Sequence, residues 1–341
     1  MITEAIEKAL EGSDFTRSEA REVMDEIMSG QATQAQIAGY LIALRAKGET
    51  AEEIAGCAEA MRSHVVAVKP ERADLVDTAG TGGDGQRTIN ISTAAALVAA
   101  AAGAGVAKHG NRAASSACGS ADVLEALGFN LELTPERIAR SIDELGFGFM
   151  FAQAHHPAMK YAGPVRSELG TRTIFNILGP LTNPAGARCQ VIGVYSAALL
   201  RPIAEALLQL GSKRAFVVYG AGGLDELSPL GPNAVCEVWD GRVIERTIDP
   251  LDFGIPRCVI EDLRGGNPAT NAAAIREVFQ GGNGGRRNAI LLNAAGAIAA
   301  AGLAEDLAEG VEIAIETVSS RKADQRLDEL IAFSQAVEVK S

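Results

Sequence analysis

The sequence predicts an α/β protein: a small, mostly helical N-terminal domain followed by a larger α/β domain whose mainly parallel sheet is flanked by helices. Three observations carry this reading. Capping-box pairs recur along the first part of the chain, short apolar segments alternate with helical ones after Pro70, and a glycine-rich loop and a loop of cations and small residues stand directly behind two of those segments. The expected boundary puts a helical unit over residues 1–70, to which about 166–185 can contribute, and an α/β unit over 71–341.

In the helical part, Thr16 is followed by Glu19, Thr33 by Gln36 and Thr50 by Glu53. In each pair two side chains can satisfy backbone N–H groups that a helix start leaves unpaired. Gly30 and Gly48 are placed to close the first two of these helices, because glycine accepts the left-handed conformation past a helix end. Ile37, Tyr40, Leu41 and Leu44 recur at helical spacing.

Beyond Pro70, Leu75–Asp77 predicts a strand, followed by a glycine-rich loop and a helix from about Ser92. Gly105–Lys108 is the next strand, with a helix near Ser120; Thr134-Pro135-Glu136 opens another helix, and Phe147–Phe151 is a strand. Gln190–Tyr195 and Ala215–Tyr219 are strands on either side of a helix at Leu199–Leu210. Val235–Ile248, with Asp240-Gly241 between two alternating segments, predicts a hairpin, and Gln280–Arg287 a loop before an alanine-rich helix. Strands alternating with helices form parallel sheets, and such sheets bind ligands at the carboxyl ends of their strands.

Composition narrows the function. The 341 residues are 47% hydrophobic but only 4% aromatic, with 37 glycines, so the core is aliphatic and alanine-rich. A formal net charge of -12 disfavours nucleic acid and anionic membranes as partners, while leaving local loops free to bind a small anion. The five cysteines are widely spaced with no CxxC, as expected of reduced thiols in a cytoplasmic protein. The first residues show no basic segment leading into an apolar one, and the apolar run Ala94–Ala102 is too short to span a bilayer.

Two loops carry the chemistry. In Gly80-Thr81-Gly82-Gly83-Asp84-Gly85 the glycines free backbone N–H groups to approach phosphate oxygens, and Asn90-Ile91-Ser92-Thr93 adds hydroxyls and a helix N-terminus. Alone, such a cluster is more often a tight strand–helix turn. It lacks the GK[ST] of a Walker loop, and no acidic residue about 20 positions on completes a dinucleotide fingerprint. The second loop, Lys108-His109-Gly110-Asn111-Arg112-Ala113-Ala114-Ser115-Ser116, offers two cations and several small residues. Such a loop can clamp phosphate groups. Ser120, just beyond, can bind as well or simply cap the following helix.

Taken in order, GTGGDG, NIST, KHGNRAASSACGSADVLEALG and HHPAMKYAGPVRSELGTRTIFNILGPLTNP resemble the anthranilate phosphoribosyltransferase family over nearly the whole chain. The resemblance implies a nucleoside phosphorylase/phosphoribosyltransferase-like fold and transfer of a phosphoribosyl group from phosphoribosyl pyrophosphate (PRPP) to the amine of anthranilate, in tryptophan biosynthesis. It implies that Gly80, Gly83, Asp84, Thr88, Asn90, Ile91, Ser92 and Thr93 bind PRPP together with Lys108, His109, Gly110, Asn111, Arg112, Ala113, Ala114, Ser115, Ser116 and Ser120. It further implies that Gly80, Asn111 and Arg166 contact anthranilate, and that Ser92, Asp225 and Glu226 hold magnesium, two ions per subunit. A homodimer through the helical region is expected, with Ile37, Tyr40, Leu41 and Leu44 as candidates for its apolar face. The chain departs from the family pattern at Tyr219, at Gly222, where a carboxylate is usual, and at Gln153.

No catalytic acid or base is expected. His109, His155 and His156 lie in motif loops, but an aromatic amine is already neutral at pH 7, so these rings are read as positioning groups. Asp225-Glu226 by itself would be a solvated acidic turn, and Arg166 with Glu168 a helix-surface pair worth ~0.5 kcal/mol. Two rival readings are a nucleoside phosphorylase and a non-catalytic relative that binds nucleic acid. The KHGNRA segment argues against the first and the acidic charge against the second.

Overall fold

All three capping boxes close in the structure, a computed structural model that describes residues 1–113 and 117–336. They start α2 (Arg17–Met28), α3 (Gln34–Lys47) and α4 (Ala51–Ser63), with α1 (Ile2–Leu10) ahead of them. Gly30 and Gly48 follow the ends of α2 and α3 with φ of 73° and 91°, the conformation expected of them. Glu53 does more than cap: its buried carboxylate also accepts the Phe15 N–H at 2.8 Å and pairs with Lys47 at 2.9 Å.

The apolar positions of α3 correct one expectation. Ile37, Tyr40, Leu41 and Leu44 are at most 1% exposed and face the chain's own interior, not a partner. Gly39 lets α1 approach α3 closely, since a Cβ there would stand 3.2 Å from Ile6 Cδ1. These side chains are therefore consumed by internal packing, while Ile42, a large apolar residue of α3, faces outward at 40% exposed.

The rest of the chain runs β1 (Leu75–Gly80), α5 (Ile91–Ala101), β2 (Gly105–Gly110), α6 (Ser120–Ala126), α7 (Pro135–Leu145), β3 (Phe147–Phe151), α8 (Ala152–His155), α9 (Met159–Leu169) and α10 (Phe175–Leu178). It continues with β4 (Cys189–Gly193), α11 (Leu200–Gln209), β5 (Arg214–Tyr219), β6 (Asn233–Trp239), β7 (Arg242–Ile248), α12 (Pro268–Phe279), α13 (Gly285–Ala300), α14 (Leu307–Ser319) and α15 (Lys322–Gln335). The strands stand in the order β3-β2-β1-β4-β5-β6-β7. The first five are parallel, and β6 and β7 form the antiparallel hairpin predicted around Asp240-Gly241, whose φ values of 49° and 71° suit a type I′ turn. Ser120 does not cap α6. Gly119 holds that position, and the Asp122 carboxylate accepts its N–H at 2.9 Å.

Two large apolar clusters cover the two faces of the sheet. On one face, α5 and α13 present alanines that allow close approach, backed by α12, α14 and α15. On the other, α1–α4, α9, α10 and α11 share one continuous cluster with Ile192, Val194, Val217 and Val238 of the sheet region. Among the described residues no helix is long and apolar enough to cross a membrane.

Strand order reverses at β1, which lies between β2 and β4, and such a reversal opens a crevice at the carboxyl ends of the strands. There Gly80 and Gly193 end β1 and β4 in register.

Candidate active site

The crevice is roofed by the acidic turn after β5. A Cβ on Gly80 would collide with the Asp225 carboxylate, and one on Gly193 with the Asp225 carbonyl, so both strand ends need glycine for this close approach. Asp225 accepts the Gly82 N–H at 2.7 Å, and Glu226 accepts the Ser92 N–H at 3.1 Å. The turn thus ties the glycine loop to the N-terminus of α5. Burial raises the affinity of both carboxyls for a proton, and nearby carboxylates, Asp84 beside Asp225 and Asp225 beside Glu226, raise it further. Gly83 has φ 81° and its carbonyl accepts from Arg172 at 2.5 Å; Asp84 accepts the Gln86 N–H at 3.0 Å.

At the start of α5, Ile91 is buried and Ser92 is held by Glu226. Thr93 is fully buried, and among the described residues neither its N–H nor its hydroxyl makes a hydrogen bond. Thr88 bridges to Arg264 on the outer side of the loop.

The second segment is held from beneath. Lys108 is 1% exposed and donates to the Thr78 carbonyl at 2.5 Å, between the charges of Asp77 and Glu226. Burial pushes the Asp77 carboxyl up to about 6, against the pull of Lys108, Asn183 and the His109 N–H. A Cβ on Gly110 would stand 2.8 Å from the Phe149 ring. Asn111 accepts the Arg112 N–H on its side chain at 2.8 Å, and Ala113 donates to Asp122 at 2.9 Å. Arg112 does not stand free: Asp122 at 3.0 Å and Glu125 at 2.8 Å pair with it. Ser120 sits in the first turn of α6, its Cβ against Gly110. Ala114, Ser115 and Ser116 lie outside the described residues.

His109 and His156 face each other with Nε2 atoms 3.1 Å apart, while His109 Nδ1 lies 3.2 Å from the Gly179 carbonyl. Burial, and then the neighbouring rings, pushes His109 down to about 3 and His156 to about 4, so both are neutral near pH 7. His155 is buried against the Val66 carbonyl at 2.7 Å. Arg166, on α9, is half-buried over the Phe175 ring, 5.3 Å from its centroid, with no acidic partner among the described residues. Nothing among the described residues joins it directly to Gly80 or Asn111. Glu168, its expected surface neighbour, is exposed.

Sequence reasoning passed over four contributors. Arg172 stacks on Tyr195 at 3.9 Å and grips Gly83; Gln86 donates to the Gly222 carbonyl at 2.9 Å; Asn183 donates to Asp77 at 2.8 Å; and Asn271 bonds Asn90 at 2.9 Å. Arg172 and Asn183 belong to the quoted GTRTIFNILGPLTNP stretch, which was the available signal. Gln86 and Asn271 act through contacts between distant segments and had none. Among the described residues no three His, Cys, Asp or Glu side chains already stand as a metal cage.

A glycine loop at a strand reversal, roofed by paired carboxylates and joined to a helical bundle, points to a class of glycosyl transferase. Family models agree on both parts: "Glycosyl transferase family, helical bundle domain" matches residues 3–65, and "Glycosyl transferase family, a/b domain" matches residues 72–324. The anthranilate phosphoribosyltransferase of Desulforamulus reducens is 51% identical over 337 residues, covering 99% of this chain and 98% of its own. The crystal structure of the Thermus thermophilus enzyme of that name superposes with a TM-score of 0.93 at 49% identity, covering 97% of this chain and 99% of that one. The Saccharomyces cerevisiae enzyme in complex with PRPP and Mg superposes with a TM-score of 0.89 at 28% identity, covering 98% of each chain. The chain belongs to the anthranilate phosphoribosyltransferase family.

Proposed function

We infer that this chain transfers the 5-phosphoribosyl group from PRPP to the amine of anthranilate, giving N-(5-phosphoribosyl)anthranilate and pyrophosphate. The observation that carries the reading is the junction of Asp225-Glu226 with Gly80, Gly82 and Ser92, which puts carboxylates, a glycine loop and a helix N-terminus around one crevice. Gly83, Asp84, Thr88 and Asn90 to Thr93 line the PRPP loop in this reading, and the N–H and hydroxyl of Thr93, unpaired among the described residues, suit a phosphate. Lys108 lends buried positive charge, and the segment from His109 to Ala113 with Ser120 forms the facing wall.

The donor set fits magnesium, because Asp225 and Glu226 each make one backbone contact and keep oxygen lone pairs for a hard cation, with Ser92 beside them. Two ions per subunit is our proposed stoichiometry, shared with substrate phosphates. Bound there, magnesium neutralises charge on the departing pyrophosphate.

In the transfer, the bond from the anomeric carbon to pyrophosphate breaks, a bond to the anthranilate nitrogen forms, and the nitrogen then sheds one proton to the departing pyrophosphate or to water. The nitrogen is neutral at pH 7 and needs no base, which accords with the neutral, mutually bonded His109 and His156. Arg166, with no carboxylate partner among the described residues, offers a guanidinium fork to the anthranilate carboxylate, with Asn111 and Gly80 beside the reacting groups. Orientation and leaving-group electrostatics supply the acceleration. We further propose a cytoplasmic homodimer joined through the helical region, with Ile42 on the outward face of α3; a monomer mass by light scattering at all concentrations would refute it.

The test of the reaction is direct. Protein mixed with magnesium, PRPP and anthranilate is expected to deplete anthranilate fluorescence, with each component required. No depletion, or depletion without PRPP, overturns the reading.

A further inference from the structure

Asn90 occupies the N-cap position of α5, yet its side chain caps nothing. An asparagine there ordinarily turns its oxygen back to accept an N–H of the first helical turn. Here that oxygen is taken by Asn271, whose Nδ2 donates to it at 2.9 Å, and the Asn90 amide nitrogen in turn donates to the Cys118 carbonyl at 3.0 Å. Asn271 lies in the first turn of α12, 1% exposed, and its own oxygen accepts the Gly266 N–H at 2.7 Å. The direction of each bond is therefore set, since reversing the Asn271 amide would oppose its N–H to that of Gly266.

The surrounding backbone holds this relay in place. Gly265 donates to the Arg87 carbonyl at 2.9 Å, and Ile89 donates to the Leu263 carbonyl at 2.9 Å. A Cβ on Gly265 would stand 2.6 Å from the Asn271 oxygen and 2.7 Å from the Thr88 carbonyl, so nothing larger than glycine fits between loop and helix.

We propose that Asn271 is a positioning residue for the transfer: it holds the Asn90 side chain off the N-terminus of α5 and ties it to the second binding segment at Cys118. The open Thr93 N–H is the consequence. Without Asn271 the Asn90 oxygen swings back onto the helix end and competes with the phosphate of the substrate for the same donor. The inference rests on the PRPP reading of the site.

The test uses the full chain with Asn271→Ala and with Asn271→Asp, which keeps the volume and the Gly266 bond but loses the donor to Asn90. PRPP affinity by calorimetry is expected to weaken tenfold or more in both variants. The KM for PRPP should rise to match, while the KM for anthranilate changes less than twofold. In the ligand-free protein, exchange of the Thr93 amide should slow in Asn271→Ala as Asn90 caps it. A merely structural Asn271 gives a lower melting temperature with PRPP affinity within twofold of native, and that result overturns the proposal. Native protein that does not bind PRPP would instead overturn the functional reading, and unchanged Thr93 exchange in Asn271→Ala would still refute the control of Asn90.

Discussion

Arg166 is half-buried over the Phe175 ring with no acidic partner among the described residues, so its charge is left for a ligand. Arg166→Ala is expected to weaken anthranilate binding by about 1.5–3 kcal/mol, roughly 10- to 150-fold, with PRPP affinity nearly unchanged. Calorimetry with each ligand separately decides this, and equal losses would mean that the side chain supports the fold. The carboxyls of Asp225 and Glu226 make the opposite case, since burial and neighbouring carboxylates make their ionised forms costly in the ligand-free fold. Two charges ~4 Å apart repel by about 1 kcal/mol in water and more where desolvated. The combined change Asp225→Asn with Glu226→Gln keeps an oxygen for the Gly82 and Ser92 N–H groups while removing both charges. It should nearly abolish turnover and leave the ligand-free melting temperature unchanged or raised. A clear fall in that temperature would assign the pair to the fold.

Among the elements, the capping boxes were legible residue by residue, yet they are not equivalent once folded. Gln36 closes a box near the surface, whereas Glu53 is 0% exposed and also serves Phe15 and Lys47. Gln36→Ala should cost about 1 kcal/mol, an ordinary cap loss, and Glu53→Ala roughly 3 kcal/mol, because a buried N–H and Lys47 lose their acceptor. Urea unfolding of the two variants measures the difference, and equal costs would refute it. The same contrast marks what the sequence could convey. Capping, hairpin and strand–loop–helix signals are local, so α2 to α4, the Asp240-Gly241 turn and the loops behind β1 and β2 were readable. The ends of β1 and β2 ran longer than predicted because Gly80 and Gly110 continue the ladder where composition suggested a loop. The inward burial of α3, the grip of Arg172 on Gly83 and the Asn271–Asn90 bond join segments far apart in the chain, and no local pattern encodes them. The candidate site residues were proposed through family resemblance, while the carboxylate roof over Gly80 and Gly193 became visible only when strand register set those glycines side by side.

For the whole molecule, net charge and buried histidines pull stability in opposite directions as pH falls. A chain at -12 repels itself, so mild acid, by neutralising carboxylates, should relieve strain and stabilise the fold. The His109–His156 pair acts against this. His109 Nδ1 donates its proton to the Gly179 carbonyl, which leaves Nε2 as the acceptor for His156 Nε2–H, an arrangement available only to neutral rings. Burial first, with His156, His155 and Lys108 adding to it at His109, holds the folded values at about 3 and about 4, against an ordinary 6.5. Folded values below unfolded ones mean that the unfolded chain takes up these protons first. The stability they represent is complete above pH 6.5 and is lost progressively as pH falls toward the folded values. Each histidine should contribute a slope on the order of 1.4 kcal/mol per pH unit within that window. Unfolding free energies by urea between about pH 7 and about pH 5 should therefore fall more steeply for the native chain than for the double variant His109→Gln with His156→Gln. The comparison subtracts the carboxylates and the other two histidines, which are common to both proteins. Parallel slopes would mean that the pair takes up protons in the folded state as readily as in the unfolded one, and the buried neutral pair would then be the wrong description.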